Sequence, residues 1–180
     1  MDDYSVELDQ ETGFCCTLHL FADVANTSEI REKLVAGKLR CCVAKVALIT
    51  DAFQAVVAAN KAALSAKRNR LITRTVYTEV LFYLSMSKNI SRSLIEFGIG
   101  DGDRNILVIL IHKPGEEQAM LEEILESVKG ERIPISRLQQ FTDVNLVKKT
   151  YKIDEDELHI TSLADAVVSR ICCKEFMLPK

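Results

Sequence analysis

Apolar and polar positions change their period several times along the chain, and each change marks an element. Over 14–21 the alternation is crude: Phe14, Cys16, Leu18 and Leu20 fall on one face, Thr17 and His19 on the other, as in a strand. Asn26 or Thr27 stands where it can cap a short helix over 28–36, closed by Gly37. The apolar run 46–50 predicts a brief buried strand. Asp51 opens an alanine-rich helix from 52 to about 68. Its Gln54, Lys61, Ser65 and Arg68 recur at helical spacing as one polar stripe, which leaves Phe53, Val56, Val57 and Leu64 for buried faces. Asn60 lies beside that stripe in an apolar stretch; if buried, its amide must be paired, since an unpaired one costs about 1–3 kcal/mol.

The second half is richer in helix. A helix over roughly 77–85 carries Glu79 in its first turn, where a negative charge suits the dipole. A third begins at the cap Asn89, shows the stripe Ile90, Leu94, Phe97, and meets Gly98 at a left-handed stop with Ile99 folding back. The turn 100–103 leads into an apolar strand over 105–111. An amphipathic helix over 116–127 presents Met120, Leu121, Ile124, Leu125 and Val128, and Pro134 makes 132–135 a short edge strand. Short helices follow over 136–140 and 144–151, then an exposed acidic connection at 154–157. A last helix over 163–174, capped by Thr161 or Ser162, turns Ile160, Leu163, Ala164, Val167, Val168 and Ile171 inward. Few strands among many helices predict an α/β fold of α+β character, a small mixed or antiparallel sheet covered by several helices.

At 180 residues, 48% hydrophobic and 27% charged, the chain is long enough for a sizeable core and too apolar to be disordered. No linker-like or repetitive stretch divides it, so residues 1–180 read as a single domain. The start Met1-Asp2-Asp3-Tyr4 is acidic and lacks the basic, then apolar, pattern of a secretory signal, and the run 106–111 is too short to span a bilayer. The expectation is a soluble chain of cytoplasm and nucleus with no membrane association. Six cysteines fall in three adjacent pairs, Cys15-Cys16, Cys41-Cys42 and Cys172-Cys173, without the CxxC spacing of zinc sites. They read as reduced, mostly buried thiols.

Net charge is −3, yet between Asp51 and Glu79 there is no acid, while Lys61, Lys67, Arg68, Arg70 and Arg74 all fall there. A local basic segment of this kind fits a restricted phosphate contact, or simply a solvated helix end. Candidate chemistry is otherwise sparse. His19, His112 and His159 lie far apart and in no motif. The glycines at 98–102 sit between a helix and a strand, the reverse of a phosphate-binding loop, and Asp101, Asp103 and Asn105 lack the glycine and glutamate of a calcium loop. No catalytic residue, cofactor or metal is expected.

The segment 51–62, with Phe53-Gln54 and Ala58-Ala59-Asn60-Lys61-Ala62, resembles a helix of the TPRKB family, the kinase-binding small subunits of the KEOPS tRNA-modification complex. A stronger match runs through Thr73-Arg74-Thr75, Thr78-Glu79-Val80-Leu81-Phe82-Tyr83-Leu84-Ser85, Asn89-Ile90-Ser91 and Phe97-Gly98-Ile99, and it extends to Val147-Lys148-Lys149-Thr150-Tyr151-Lys152 and Ser169-Arg170. Ala52 departs from it, standing where animal members carry proline at the first helical turn. The resemblance implies a non-catalytic subunit that binds the small atypical kinase/ATPase of KEOPS directly and its other subunits indirectly. It also implies engagement of tRNA, notably the 3′ CCA end, for threonylcarbamoyladenosine formation.

On that footing the kinase contact is expected at Val80, Tyr83, Leu84, Ile90 and Leu94, each of which also fits a core role. The tRNA contact is expected at Asn60, Lys61, Lys67, Arg70 and Arg74, with Thr73 and Thr75 either adding hydrogen bonds or capping the next helix. Two other classes stand beside this reading: a stand-alone RNA-binding adaptor that works without the kinase, and an enzyme with a cysteine nucleophile.

Overall fold

The computed structural model describes residues 4–177, so the acidic start at Met1, Asp2 and Asp3 lies outside the described residues. Five antiparallel strands form one sheet: β1 Tyr4–Glu7, β2 Cys15–Ala22, β3 Cys42–Lys45, β4 Ile106–His112 and β5 Glu131–Ile133. Their order is β1-β2-β4-β3, and β5 pairs with the second half of β2, beyond the residues that pair with β1. The helices are α1 Thr27–Val35, α2 Ala52–Lys67, α3 Val76–Leu84, α4 Ile90–Phe97, α5 Glu117–Ser127, α6 Val144–Tyr151, α7 Glu155–Leu158 and α8 Leu163–Met177. The α/β fold with an antiparallel sheet is the expected one.

β4 is apolar at every position but its last because both of its faces are covered. Leu107, Ile109 and Ile111 join Cys16, Leu18 and Leu20 in a large core closed by α2, α3, α6 and α8. Ile106, Val108 and Leu110 point the other way, into a smaller core with Phe21, Val43, Ile30 of α1 and Met120 and Ile124 of α5. Each such side chain contributes about 1.5–3 kcal/mol through burial. Ala55, Ala58, Ala59, Ala62 and Ala63 are fully buried, so α2 lies close against its neighbours.

Several local expectations need correction. The expected strand at 46–50 is a 3-10 turn, Val46–Leu48, and the strand precedes it as β3. β1 had no sequence signal strong enough to predict it. Thr17 and His19 are as buried as their apolar neighbours, because β2 is central rather than one-sided. Gly98 is extended (φ −71°, ψ 154°), not left-handed. It is glycine for room, since a Cβ there would collide with the Leu94 carbonyl oxygen. The acidic run forms the short helix α7, capped by Asp154, whose carboxylate accepts from the Glu157 N–H at 2.9 Å. Ile160 and Leu125 are exposed rather than inward.

The largest correction concerns α2. Gln54, expected on the polar stripe, is fully buried, and Phe53, expected inside, is 54% exposed. Gln54 uses all of its amide. Its Oε1 accepts from the Thr50 N–H (2.7 Å) and hydroxyl (2.9 Å), while Nε2 donates to Leu48 O and to Tyr151 Oη, both at 3.0 Å. Tyr151 Oη in turn donates to Leu84 O at 2.5 Å. One amide and one phenol thereby join the 3-10 turn, α2, the end of α3 and α6, and burial holds the Tyr151 hydroxyl protonated far above its ordinary range. Tyr151→Phe should leave the Leu84 carbonyl and one Gln54 donor unpaired and destabilise the fold by about 2 kcal/mol, read as a lower urea midpoint. An unchanged midpoint would show that these groups find other partners.

A candidate docking cleft and a basic edge

The two helical layers part at the free edge of β3 and leave an open cleft of about 540 Å³. One wall is the last turn of α1, with Leu34 and Val35; the other is formed by Tyr77 and Leu81 of α3 and Leu94 and Ile95 of α4. Val43 of β3 and Ile99 line it between them. α4 is held in place at both ends. Asn89 Oδ1 accepts from the Arg92 N–H at 2.9 Å, and Gly98, beyond its last residue, forms a β-bridge with Ala44 of β3. Lys45 Nζ adds a bond to the Ile95 carbonyl at 3.0 Å.

Two residues on the cleft walls are strongly apolar and strongly exposed: Val35 at 85% and Ile95 at 75%. The charged side chains lining the cleft, Arg31, Arg40 and Lys45, are all cationic. Arg31 pairs with Asp101 at 3.3 Å and Arg40 with Glu123 at 3.2 Å. Such exposed pairs hold little energy and are readily exchanged for a partner's carboxylates.

The residues expected at a kinase contact divide. Val80 and Leu84 are fully buried in the large core, the core role each also fitted, and Tyr83 is 5% exposed beside them with its hydroxyl at 2.8 Å from that of Ser65. Ile90 is 37% exposed at the start of α4, and Leu94 is half-buried on the cleft wall. Leu81, Ile95 and Val35 line the cleft and were not among the residues expected. Ile95 carried a signal, being an isoleucine outside the Ile90, Leu94, Phe97 stripe.

The basic segment divides as well. Lys67, Arg70 and Arg74 are exposed around the connection between α2 and α3, and no salt bridge or side-chain hydrogen bond engages them among the described residues. Arg68 is bidentate to Glu11, at 2.9 and 2.6 Å. Asn60 Oδ1 accepts from the Asp9 N–H at 2.8 Å, the partner its half-buried amide required. Lys61 turns inward: its Nζ donates to Cys172 O at 3.1 Å, pairs with Glu175 at 3.5 Å and lies 5.1 Å from the centre of the Tyr83 ring.

The connection itself is shaped by Glu79, which is fully buried. Its carboxylate accepts from the backbone N–H groups of Ile72 (3.1 Å) and Thr73 (2.8 Å) and from the Thr73 hydroxyl (2.7 Å). Thr75 caps α3 in a reciprocal box with Thr78. Thr73 and Thr75 therefore serve the fold, and the loop they pin presents Arg70 and Arg74.

Reactive chemistry finds little support. Among the described residues no group of three or more His, Cys, Asp or Glu converges to hold a metal ion, and no helix is long and apolar enough to cross a membrane. Cys16, Cys41 and Cys42 are buried, and burial pushes the first two thiols up to about 12 and the third well above its ordinary value. Cys15 is half-buried, and Cys172 and Cys173 are exposed. His112 is buried, its Nε2 at 2.8 Å from the Thr17 hydroxyl and its Nδ1 at 2.9 Å from Lys113 O, a structural arrangement between strands.

Residues 21–175 match the family described as kinase binding protein CGI-121. The EKC/KEOPS complex subunit TPRKB of Danio rerio is 36% identical over 162 residues, 90% of this chain and 92% of that one. The EKC/KEOPS complex subunit CGI121 of Yarrowia lipolytica is 32% identical over 149 residues, 82% of each chain. That of Kluyveromyces lactis is 32% identical over 122 residues, 67% of this chain and 75% of that one.

Three measurements test this geometry. Glu79→Ala should strand three donors and cost about 3 kcal/mol in urea unfolding, with faster amide exchange at Ile72 and Thr73; a change confined to α3 would reject the loop-pinning role. Thiol labelling near neutral pH should modify Cys172 and Cys173 first and reach Cys16, Cys41 and Cys42 only on unfolding. The buried thiols prefer the protonated form when folded, so stability should fall as pH rises above the ordinary thiol value of 9 toward about 12. Rapid labelling of a buried cysteine in the native chain would contradict the packing.

Proposed function

The chain belongs to the kinase binding protein CGI-121 family, and from that membership we propose that it is a non-catalytic subunit of a KEOPS complex, bound directly to the complex's atypical kinase and helping to recruit tRNA for threonylcarbamoyladenosine formation. The observation that carries the kinase half is the cleft at the β3 edge, where Val35 and Ile95 expose apolar side chains that the fold itself does not cover. An apolar centre with a charged rim is how a protein interface is built, and its cationic side chains favour a partner face that carries carboxylates. Leu94 and Ile90 extend this surface along α4, and the other KEOPS subunits are reached through the kinase.

The tRNA half rests on three exposed cations, Lys67 at the end of α2 and Arg70 and Arg74 on the connection that follows it. Arg74 directly precedes Thr75, a cleft-lining residue, so the proposed phosphate contact runs next to the proposed kinase contact. The 3′ CCA end is the expected single-stranded element of the tRNA, and the cytoplasm and nucleus are the compartments this role calls for. A stand-alone RNA-binding adaptor would use the same three cations without the cleft.

Size-exclusion chromatography of the purified chain with the KEOPS kinase should give a one-to-one complex. Ile95→Asp should weaken it by about 100-fold or more while leaving the thermal melt in place, since a charge would be desolvated at the centre of the contact. A wild-type mixture that elutes as separate peaks would sink the kinase reading, and an unaffected variant would move the contact off the cleft. The double change Arg70→Glu with Arg74→Glu should weaken tRNA binding and lower its salt dependence, with kinase co-elution retained. Unchanged tRNA affinity would remove these residues from the interface.

A further inference from the structure

The end of α8 lies over the inner basic-aromatic face of α2 and α3. Lys174 is only 2% exposed; its ammonium lies 3.4 Å from the centre of the Phe82 ring and donates to the Phe82 carbonyl. Phe82 is buried yet belongs to neither apolar core, and its ring meets that of Tyr83 edge to face at 5.7 Å. Its cover is therefore a lysine rather than packed hydrocarbon. Beside it, Glu175 and the Cys172 carbonyl hold Lys61, and the Tyr83 hydroxyl bonds Ser65 at 2.8 Å. The outer side of this same turn carries Cys172, Cys173 and Phe176, all exposed.

From this arrangement we infer that the last turns of α8, over 172–177, are a removable cover on a binding face made of Lys61, Phe82 and Tyr83, which takes the end of a single-stranded nucleic acid. Aromatic faces accept any base by stacking, and an ammonium beside them accepts the flanking phosphate. The covered face continues the basic edge along α2, because Lys61, Ser65 and Arg68 recur on one side of that helix. The inference rests on the tRNA reading and assigns it a regulated site: while the cover is closed, Lys61 is held by Glu175 and both rings are shielded.

The closed contact is adjustable because a cation occupies it. Burial pushes the Lys174 ammonium down to about 7, against the pull of Glu79 on α3, Glu96 on α4 and Glu175 on α8, with Lys61 on α2 adding to the depression. A lysine whose closed-state value lies below its open-state value favours opening as pH falls from the ordinary 10.5, fully so below about 7. The cover is loosest near and below neutrality and firms toward pH 10.

Fluorescence anisotropy of a labelled single-stranded RNA of about ten nucleotides tests this. A chain ending at Ile171 should bind it about tenfold more tightly than the full chain, and Phe82→Ala in the shortened chain should abolish the gain. Equal affinity in a shortened chain with an intact thermal melt overturns the cover, as does a gain that survives Phe82→Ala, which would reflect only the loss of Glu175. If the shortened chain does not melt cooperatively, Lys174→Met in the full chain decides. It should slow amide exchange over 172–177 and weaken RNA binding several-fold, and unchanged exchange and affinity reject the cover. A full chain that binds tRNA through Arg70 and Arg74, with no response to either α8 change, fails this inference alone. A chain that binds no tRNA in any form fails the tRNA reading itself.

Discussion

Backbone groups carried inside this fold must find partners, and the amide of Gln54 meets that demand at its crowded centre. The 3-10 turn after β3 and the end of α3 both bring carbonyls, those of Leu48 and Leu84, into places water does not reach. Gln54 and Tyr151 satisfy both and each other, so four elements share two side chains. An unpaired buried group costs more than a formed bond gains, so the network acts as a specification: α2, α3 and α6 must meet in this register or leave polar atoms stranded. Everything on the α3 side of the molecule inherits that register, including the cleft wall and the basic connection.

The same economy governs the charged groups. Glu79 is buried, with its carboxylate saturated by one loop, and Lys174 is buried against a ring and a carbonyl. Neither is arranged toward a cavity where a substrate would sit. Glu79 is engaged by the backbone of residues 72 and 73, and Lys174 by the Phe82 carbonyl. The thiols follow suit, since three are protonated by burial and the exposed pair lies on the outside of α8. Around the cleft, what the fold leaves open to solvent is apolar surface bordered by cations.

The sequence carried the helices well because their caps and stripes are local properties. Asp51, Asn89, Asp143 and Ser162 each bond the backbone N–H three residues on, as cap chemistry requires. The central strands were legible through apolar runs, but β1 was not, since a four-residue edge strand with alternating exposure resembles a polar terminus. The polar stripe on α2 misled for a definite reason. Glutamine at a helical surface spacing is indistinguishable from glutamine at a polar hub until tertiary packing brings near it the groups it must pair, the Leu48 carbonyl and the Tyr151 hydroxyl. Lys61 was misread in the same way: its spacing is that of an exposed cation, and only the return of α8, more than 100 residues later, turns it inward.

The partner face was the least legible part, and helix geometry explains why. A helix packed between a core and a partner needs apolar residues on two sides, and periodicity reports only their union. On α4, Phe97 enters the core while Ile95, two residues earlier and therefore about 200° around the axis, points away from it. Leu94 stands between the two directions, half in each. On α3 the apolar residues are nearly continuous, so Val80 and Leu84 in the core and Leu81 on the cleft wall read alike. An isoleucine on the far side of an otherwise well-formed stripe adds nothing to the core, and it is with Val35, Leu81 and Leu94 around one cleft, rather than singly, that it supports the proposed docking surface.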